Sequence, residues 1–218
     1  MTLSKLNRKS LRHEVYSKLL DYILTGTIHA NSRIDENDLA NKLGISRTPL
    51  REAINRLIQE GLVIEVPYVG NFVREFTKEE VEQIYEVRAV LEAKAVKLAV
   101  QNMNEDATSA LYEIVNEIKV QQKKGNVINA SKLDDEFHMY LANYSGNVTL
   151  VRLIKQLEKQ IQMVKVMGNR NMEVASQADT DRESIMEAIL KKDAELAASY
   201  MERHILNACK GVIATFFS

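Results

Sequence analysis

The segment Leu39-Ala-Asn-Lys-Leu-Gly-Ile-Ser-Arg-Thr-Pro-Leu-Arg-Glu-Ala-Ile-Asn-Arg-Leu57 has the pattern of two short helices joined by a tight turn. Gly44 permits the tight turn between them. Ser46 can cap the second helix, and Pro49 falls in its first turn, where a missing N–H is harmless. The segment therefore predicts a helix-turn-helix, and in that motif the start of the second helix enters the major groove of DNA.

A further amphipathic helix is predicted upstream, over residues 10–25. Its apolar side chains recur every four residues on one face, at Leu11, Val15, Leu19 and Ile23. Asp35 is a candidate N-cap for the next helix, which ends at Leu43.

Two β-rich runs follow the helix-turn-helix, Leu62–Val66 and Asn71–Phe76, separated by Pro67-Tyr-Val-Gly70. This pattern predicts a small hairpin. The order helix, helix, turn, helix, hairpin is that of a winged helix-turn-helix, and we assign it to residues 1–76.

From Thr77 onward the apolar residues recur at helical spacing, and no strand pattern appears. The segment 169–175 has the pattern of a loop. The predicted fold is mainly α: the N-terminal winged helix-turn-helix with its small β-hairpin wing precedes an all-α six-helix bundle at residues 77–218. The helix signals are the capping box Thr77–Glu80, the cap Asn104, the run 130–144, the cap Asn147, the run 176–190 and the cap Asp193.

Composition limits the classes of protein that fit. The 218 residues are 45% hydrophobic and 27% charged, which excludes collagen-like, coiled-coil-only and largely disordered chains. The single cysteine, Cys209, excludes an internal disulfide and a Cys-based zinc finger. No apolar run approaches the roughly 20 residues that span a bilayer, and residues 1–9 are too polar for a signal peptide. We expect a cytoplasmic protein without a membrane partner.

Charge divides unevenly along the chain. Residues 1–76 carry 11 Lys and Arg against 9 Asp and Glu, a net charge of +2, while the remaining residues carry 18 against 21, a net charge of −3. A charge of +2 does not by itself identify a nucleic-acid-binding domain. It does place the basic excess on the same part of the chain as the helix-turn-helix.

The candidate DNA contacts lie in the first turn and a half of the second helix: Ser46, Arg47, Thr48 and Arg51. Arginine can read guanine through two hydrogen bonds, and Ser and Thr hydroxyls bind phosphates. The hairpin could bring Tyr68 and Gly70 to the backbone or minor groove. From the residues alone, a small helical or protein-binding module with solvated arginines remains an alternative.

Residues 8–76 closely resemble the DNA-binding domain of GntR-family bacterial transcription regulators. The match covers Ile34 to Ile54, then Arg56-Leu and Glu60-Gly-Leu-Val. The resemblance implies DNA contacts at Ser46, Arg47, Thr48 and Arg51, with the wing at Tyr68–Gly70. Two positions depart from the family pattern: Asn37 stands where many relatives carry Arg, and the wing lacks the usual basic residues.

A second constellation consists of Asp134, His138 and His204. The first two are four residues apart on one helix face, and His204 is flanked at helical spacing by apolar residues. Carboxylate and imidazole groups inside a bundle suit a divalent ion such as zinc, nickel or manganese. Spacing alone favours the alternative of a hydrogen-bonded core histidine beside an ordinary Asp–His pair.

Residues 77–218 resemble the FCD ligand-binding domain of the FadR branch of the GntR family, and six helices make them similar to its VanR-type subgroup. The matched segments include Leu133–Asn147, Ser184–Ile189 and Asp193–Ala198. In metal-binding members of the family, the resemblance implies ligation by an Asp, a first His and two later histidines. The corresponding positions here are Asp134, His138 and, for the two later histidines, Arg182 and His204. Arginine at position 182 departs from the pattern.

Arg182 leaves two alternatives open. Either three ligands hold an ion with Arg182 turned away, or Arg182 replaces the ion as the positive centre, paired with Asp134 or gripping a ligand carboxylate. We favour replacement. The resemblance also makes Arg88 a candidate effector-binding arginine, although a buried Arg88–glutamate pair is equally consistent. With Arg88 and Arg182 we assign Asn147, from the matched Ser-Gly-Asn turn, to the effector site.

The predicted function is a ligand-responsive transcriptional regulator, not an enzyme. We expect a homodimer on a palindromic operator, a small organic acid or sugar acid as effector, and repression as the mode of action. One alternative is a metal-dependent enzyme built on Asp134, His138 and His204, which would leave the helix-turn-helix unexplained. Another is an architectural DNA binder without effector, which the inward-facing polar residues disfavour.

Overall fold

The computed structural model describes residues 8–167 and 174–217, and their contacts form two compact units. The first unit comprises residues 8–77 and 159–167, and the second comprises residues 78–158 and 174–217. Within the described residues, no helix is long and apolar enough to cross a membrane.

The first unit contains the predicted winged helix-turn-helix. Its strands pair antiparallel, with Val63 opposite Val73 and Val66 opposite Gly70, and Arg33 forms a bridge to Phe72 on the far side of β2. The predicted fold class is confirmed. The elements are α1 (Arg8–Leu24), α2 (Glu36–Leu43), α3 (Arg47–Gln59), β1 (Val63–Val66) and β2 (Gly70–Val73).

Local signals explain how α2 and α3 begin and end. Asp35 caps α2 by accepting hydrogen bonds from the backbone N–H groups of Asn37 and Asp38. Gly44 ends α2 with φ 65°, in the left-handed region that glycine adopts most readily. Ser46 is the N-cap residue of α3, but its side chain makes no capping hydrogen bond, so the predicted role of that hydroxyl is wrong.

The core of the first unit joins the apolar faces of α1 and α3 to the start of the hairpin. The fully buried side chains include Leu19, Leu50, Ile54, Leu57 and Leu62. Leu11 is 42% exposed, so the predicted apolar stripe of α1 is buried only from Val15 onward. The end of α3 is fixed at Glu60, which accepts a hydrogen bond from the Tyr16 hydroxyl at 2.5 Å and pairs with Lys159 Nζ at 2.8 Å.

Six helices follow Thr77 in the described residues, as predicted, and the second unit contains all of them except residues 159–167 of α7. Asn104, Asn147 and Asp193 cap α5, α7 and α9 through side-chain oxygens, which confirms these three helix starts. Residues 169–173 of the predicted loop lie outside the described residues, and α8 already includes Val174. The helices are α4 (Lys78–Asn102), α5 (Glu105–Lys123), α6 (Val127–Tyr144), α7 (Val148–Met167), α8 (Val174–Leu190) and α9 (Ala194–Phe216).

Helix α4 is central to the second unit, since it packs against both α6 and α9. Small buried residues such as Ala95 on α4 and Ala142 on α6 pack with Leu150 and Ile154 of α7. Helix α8 packs against α9 and α5. This arrangement turns polar side chains of α4, α6, α8 and α9 into the interior of the bundle.

Candidate functional site

The first candidate site is the surface at the start of α3. Ser46, Arg47, Thr48 and Arg51 are all exposed there, as a DNA-reading role requires. Tyr68, at the tip of the wing, is completely exposed and has φ 65°, an uncommon conformation for a residue with a side chain. Gly70 follows it at φ 137°. The DNA-contact roles of these six residues stay predictions.

A cleft of about 480 Å³ lies between the start of α3 and the wing. It brings together Arg47 and Arg51 of α3 and Gly70 and Asn71 of β2. Arg33 also lines the cleft, and its guanidinium lies against Gly70 so closely that a Cβ there would meet Arg33 Nε at 3.0 Å. Three arginines therefore line one concave surface with Asp35 and Glu36, for a net charge of +1.

The second candidate site is the cluster of Asp134, His138 and His204. One potential ligand atom from each of these residues lies within 4.8 Å of the other two. His138 Nε2 is 3.9 Å from Asp134 Oδ2, and the two imidazole rings stack at 5.4 Å between centroids. Both histidines are buried, 3% exposed each. The sequence prediction that His204 faces inward is confirmed.

Each histidine of the cluster turns its Nδ1 toward a buried carboxylate. His138 Nδ1 is hydrogen-bonded to Glu92, and His204 Nδ1 lies 3.9 Å from Asp181 Oδ2. Within the described residues His204 Nδ1 has no hydrogen-bond partner. This orientation leaves both Nε2 atoms for the cluster. In metal sites, outer carboxylates of this kind orient the ligating imidazoles.

Burial and neighbouring charges shift the pKa values around the cluster. Burial, followed by the charge of His138, lowers the pKa of His204 to about 3, so its imidazole is neutral at physiological pH. Burial alone would raise the pKa of Glu92, but Arg88 and His138 outweigh it and lower that pKa to about 2. At physiological pH the imidazole of His204 is thus neutral, while Glu92, the carboxylate bonded to His138, is ionised.

Arg182 is inside the bundle, only 2% exposed. Its Nη1 donates to Asp134 Oδ1 at 2.7 Å, and its Nη2 donates to Asp179 Oδ1 at 2.6 Å. The predicted inward orientation is confirmed. Its pairing with Asp134, one of the two roles expected of an arginine that replaces the ion, is confirmed. Arg182 is not turned away from Asp134, and it is not free to grip a ligand carboxylate with both Nη groups, because both are already bound to carboxylates of the protein.

Arg88 and Asn147 have other partners than an effector in this structure. Arg88 is buried and ion-paired with Glu92, the arrangement that the sequence left as the alternative to an effector contact. Burial alone would lower the pKa of Arg88, but the charge of Glu92 outweighs it and raises that pKa. Asn147 is exposed and accepts a hydrogen bond from the Leu150 N–H as the cap of α7. Their effector roles stay predictions.

Glu158 is a further acidic group near the cluster. Its Oε1 is buried without a hydrogen-bond partner in the described part of the chain. Burial, strengthened by the charge of Asp135, raises the pKa of Glu158 to about 7. The group is therefore partly protonated near neutral pH, unlike Glu92.

The donor set of the cluster fits a divalent ion. Two imidazoles and one carboxylate are typical ligands of zinc, nickel or manganese, and each imidazole has a carboxylate near its Nδ1. The charges around the cluster point the same way. Four carboxylates (Glu92, Asp134, Asp179, Asp181) there face three arginines (Arg88, Arg182, Arg203), so the acids outnumber the arginines by one.

Several residues of both sites were not predicted from the sequence. Glu92 follows Arg88 by four residues and Asp179 precedes Arg182 by three, so helical spacing could have paired them. Asp181 has one partner at helical spacing, Gln177 at 3.5 Å, but its ion-pair partner Arg203 and its partner Asn207 lie on another helix, α9, and spacing does not reveal them. Arg33 joins the cleft only through its bridge to the wing.

Comparison with known families follows the two units. Residues 11–73 match the model of the bacterial regulatory proteins of the gntR family, and residues 83–207 match the FCD domain. The second match covers more than half of the chain.

Among individual proteins, the chain is 30% identical to the Nta operon transcriptional regulator of Aminobacter aminovorans, over 85% of this chain and 90% of that protein. It is 25% identical to a probable D-xylose utilization operon transcriptional repressor of Paenarthrobacter nicotinovorans, over 94% of this chain and 89% of that protein. The solved structure of E. coli McbR/YncC has the same fold, with a TM-score of 0.79, 23% identity and coverage of 94% and 97% of the two chains.

Proposed function

Since this chain belongs to the GntR family of bacterial transcriptional regulators and carries an FCD domain, we propose that it is a homodimeric repressor whose DNA affinity responds to an effector bound at a metal ion. The proteins and domains that it matches are those of regulators rather than enzymes. Two copies would present two α3 helices to a palindromic operator in the cytoplasm. The Paenarthrobacter relative is itself named as a probable repressor.

The DNA-binding part of the proposal rests on the start of α3. Arg47 and Arg51 are exposed and line a cleft with net positive charge. The hydroxyl of Ser46 is exposed and is not used to cap the helix. The first N–H groups of α3 and this hydroxyl are therefore available to a phosphate, the anion that a helix N-terminus favours.

The effector part rests on one observation, the convergence of Asp134, His138 and His204 inside the bundle with ligand atoms within 4.8 Å of one another. Zinc, nickel or manganese would be held by Asp134 Oδ2 and the two Nε2 atoms. A bound ion supplies a Lewis-acidic anchor for an effector carboxylate. Glu92 holds the imidazole of His138 through Nδ1, Asp181 Oδ2 lies 3.9 Å from His204 Nδ1, and Arg182 holds the other oxygen of Asp134.

The charges around the cluster bear on how a small organic or sugar acid would be recognised. Arg88 and Arg182 are already ion-paired with carboxylates of the protein. To bind either arginine, an anionic effector would therefore have to compete with these carboxylates, whereas a bound cation would attract it directly. We expect the ion, rather than either arginine, to be the group that binds the effector carboxylate.

Selection of DNA from a randomised duplex library tests the proposal, since the operator sequence emerges from the selection itself. We expect the wild-type protein to enrich a palindromic sequence and to bind it as a dimer. At equal salt concentration, the protein should bind the enriched duplex at least about tenfold more tightly than a scrambled duplex. Fluorescence anisotropy measures both affinities, and analytical ultracentrifugation measures the stoichiometry.

The response to metal is tested with the same duplex. Carboxylate effectors are screened by their influence on the affinity of the protein for the enriched duplex. In this screen chelation should change that affinity, and the variant His138→Ala should change it as well. His29→Ala is the matched control, since His29 is exposed and lies outside the cluster. Equal affinity for enriched and scrambled duplexes would contradict the DNA-binding proposal. If the affinity for the operator is unchanged by chelation and by every effector tested, the protein is an architectural DNA binder instead.

A further inference from the structure

Glu36, the first residue of α2, connects the two sides of the DNA-facing cleft. Its Oε2 accepts a hydrogen bond from Arg51 Nε of α3 at 2.7 Å. Its Oε1 accepts a hydrogen bond from Asn71 Nδ2 of β2 at 3.3 Å. Both carboxylate oxygens are thus engaged, one by the reading helix and one by the wing.

The bond to Arg51 uses only one edge of the guanidinium. It is made by Nε, and in the described part of the chain neither Nη group of Arg51 has a protein partner. The side chain of Arg51 is 61% exposed, while that of Glu36 is 24% exposed. The carboxylate is therefore the fixed member of the pair, and the two Nη groups of Arg51 remain directed away from it.

Two parallel Nη donors are the arrangement that reads guanine, through its O6 and N7 atoms in the major groove. A free arginine side chain loses rotamer entropy when it adopts this pose, and it can equally turn to a phosphate. A carboxylate on Nε removes both disadvantages, because it fixes the guanidinium before DNA arrives and leaves the fork of Nη donors for the base.

We propose that Glu36 is a positioning residue that holds Arg51 for two-pronged recognition of a guanine. The inference rests on the proposed DNA-binding function and adds a base-reading role for Arg51 and an orienting role for Glu36. Asn71 fixes the carboxylate from the wing side, so the wing contributes to base recognition without touching the base. Arg33 and Arg47, which line the same cleft, have no described bond to this carboxylate and are left for phosphates or other bases.

The experiment is DNA selection with purified full-length variants, followed by affinity measurements on the enriched duplex and on duplexes with single base-pair changes. The variants are Arg51→Ala, Glu36→Ala, Glu36→Gln and the double variant Glu36→Ala with Arg51→Ala. Asp38→Ala is the matched control. It removes a carboxylate from the same helix, where Asp38 pairs with Lys42 at 2.8 Å rather than with Arg51.

We expect Arg51→Ala and Glu36→Ala to lose preference for guanine at the same position, by about tenfold or more. The double variant should be no worse than Arg51→Ala alone, because Glu36 acts through Arg51. Glu36→Gln keeps an acceptor oxygen and should recover part of the preference. Affinity for scrambled DNA should not fall in Glu36→Ala, since removing an acid leaves the cleft more positive.

Several results would overturn the inference. One is unchanged guanine preference in both Glu36 variants, and another is an additive effect of the two substitutions in the double variant. A third is loss of preference that Asp38→Ala reproduces. Circular dichroism verifies folding, and if Glu36→Ala is unfolded the comparison of Glu36→Gln with wild type decides the matter. If the wild-type protein enriches no sequence, the proposed function itself fails, which is a distinct outcome.

Discussion

Replacing Arg182 by methionine tests the contribution of this arginine to the bundle. The substitution keeps an unbranched apolar side chain but removes the guanidinium that bridges Asp134 and Asp179 at 2.7 and 2.6 Å. The two carboxylates then lose the cation that they share, at a position where Arg182 is 2% exposed. We expect the metal-free variant to be clearly less stable than the wild-type protein.

The magnitude follows from burial. Removing one partner of a buried ion pair costs about 3–5 kcal/mol. Here the side chains of Asp134 and Asp179 are 25% and 28% exposed, so water recovers part of the loss. We therefore expect the free energy of unfolding to fall by about 2–3 kcal/mol. For a chain of this length that corresponds to a decrease in Tm of about 4–12 °C.

Urea and thermal unfolding of the full-length protein in the presence of a chelator, followed by far-ultraviolet circular dichroism, measure the effect. Lys119→Met is the matched control, because it removes a more exposed ion pair between α5 and α8, to Glu183 at 2.6 Å. That control should lose no more than about 1 kcal/mol. Zinc or manganese should restore more stability to Arg182→Met than to wild type, since Asp134 is released from the arginine. Equal stability of Arg182→Met and wild type would refute this reasoning.

Three further predictions concern single positions. Gly44→Ala should lower the free energy of unfolding by about 1 kcal/mol in urea titrations. Gly44 has φ 65° and an added Cβ would meet nothing within 4 Å, so the loss comes from backbone strain alone. Gly44→Asn should lose less stability. Burial raises the pKa of Glu158 from 4.5 to about 7, so the folded state binds the proton more tightly and stability falls as pH rises through that interval. Glu158→Gln should remove this pH dependence, so that its free energy of unfolding rises relative to that of the wild type by roughly 2 kcal/mol between about pH 5 and pH 8. Urea midpoints measure the effect, and a pH profile equal to that of the wild type would contradict the prediction. Arg47→Ala should weaken operator binding, and the slope of log affinity against log salt decides its role: a decrease of about 1 identifies a phosphate contact, and an unchanged slope with altered base preference identifies a base contact.

Much of the fold could be predicted because its signals are local. Asp35, Asn104, Asn147 and Asp193 each cap a helix through hydrogen bonds within a few residues, and Gly44 ends α2 through its own backbone conformation. Such effects are readable from a short stretch of sequence. The hydroxyl of Ser46 was misjudged because the residue type fits a cap whether or not the bond forms.

The candidate metal cluster was only partly predictable. Asp134 and His138 share one helix face, and apolar neighbours indicated that His204 is buried. What spacing could not give is the partner of each group across helices. Arg182 on α8 pairs with Asp134 on α6, and His138 on α6 is bound by Glu92 on α4. Tertiary packing decides these pairs, and through them it decides that both Nη groups of Arg182 are occupied.

The same limit applies to the DNA-facing cleft. Arg47 and Arg51 were predicted because the helix-turn-helix pattern places them at the start of α3. Arg33 and Glu36 were not, since they reach the cleft only when β2 folds beside them. Glu36 lies 15 residues from Arg51 and 35 from Asn71, separations at which no helical or strand periodicity reports contact.

The most direct test of the account is the metal content of untagged, full-length protein, measured by mass spectrometry beside His138→Ala and the control His29→Ala. We predict about one zinc, nickel or manganese ion per chain in the wild-type and control proteins, and its loss in His138→Ala. An absence of metal in the wild-type protein, even after dialysis against all three ions, would contradict the proposal that Asp134, His138 and His204 hold the ion to which the effector binds.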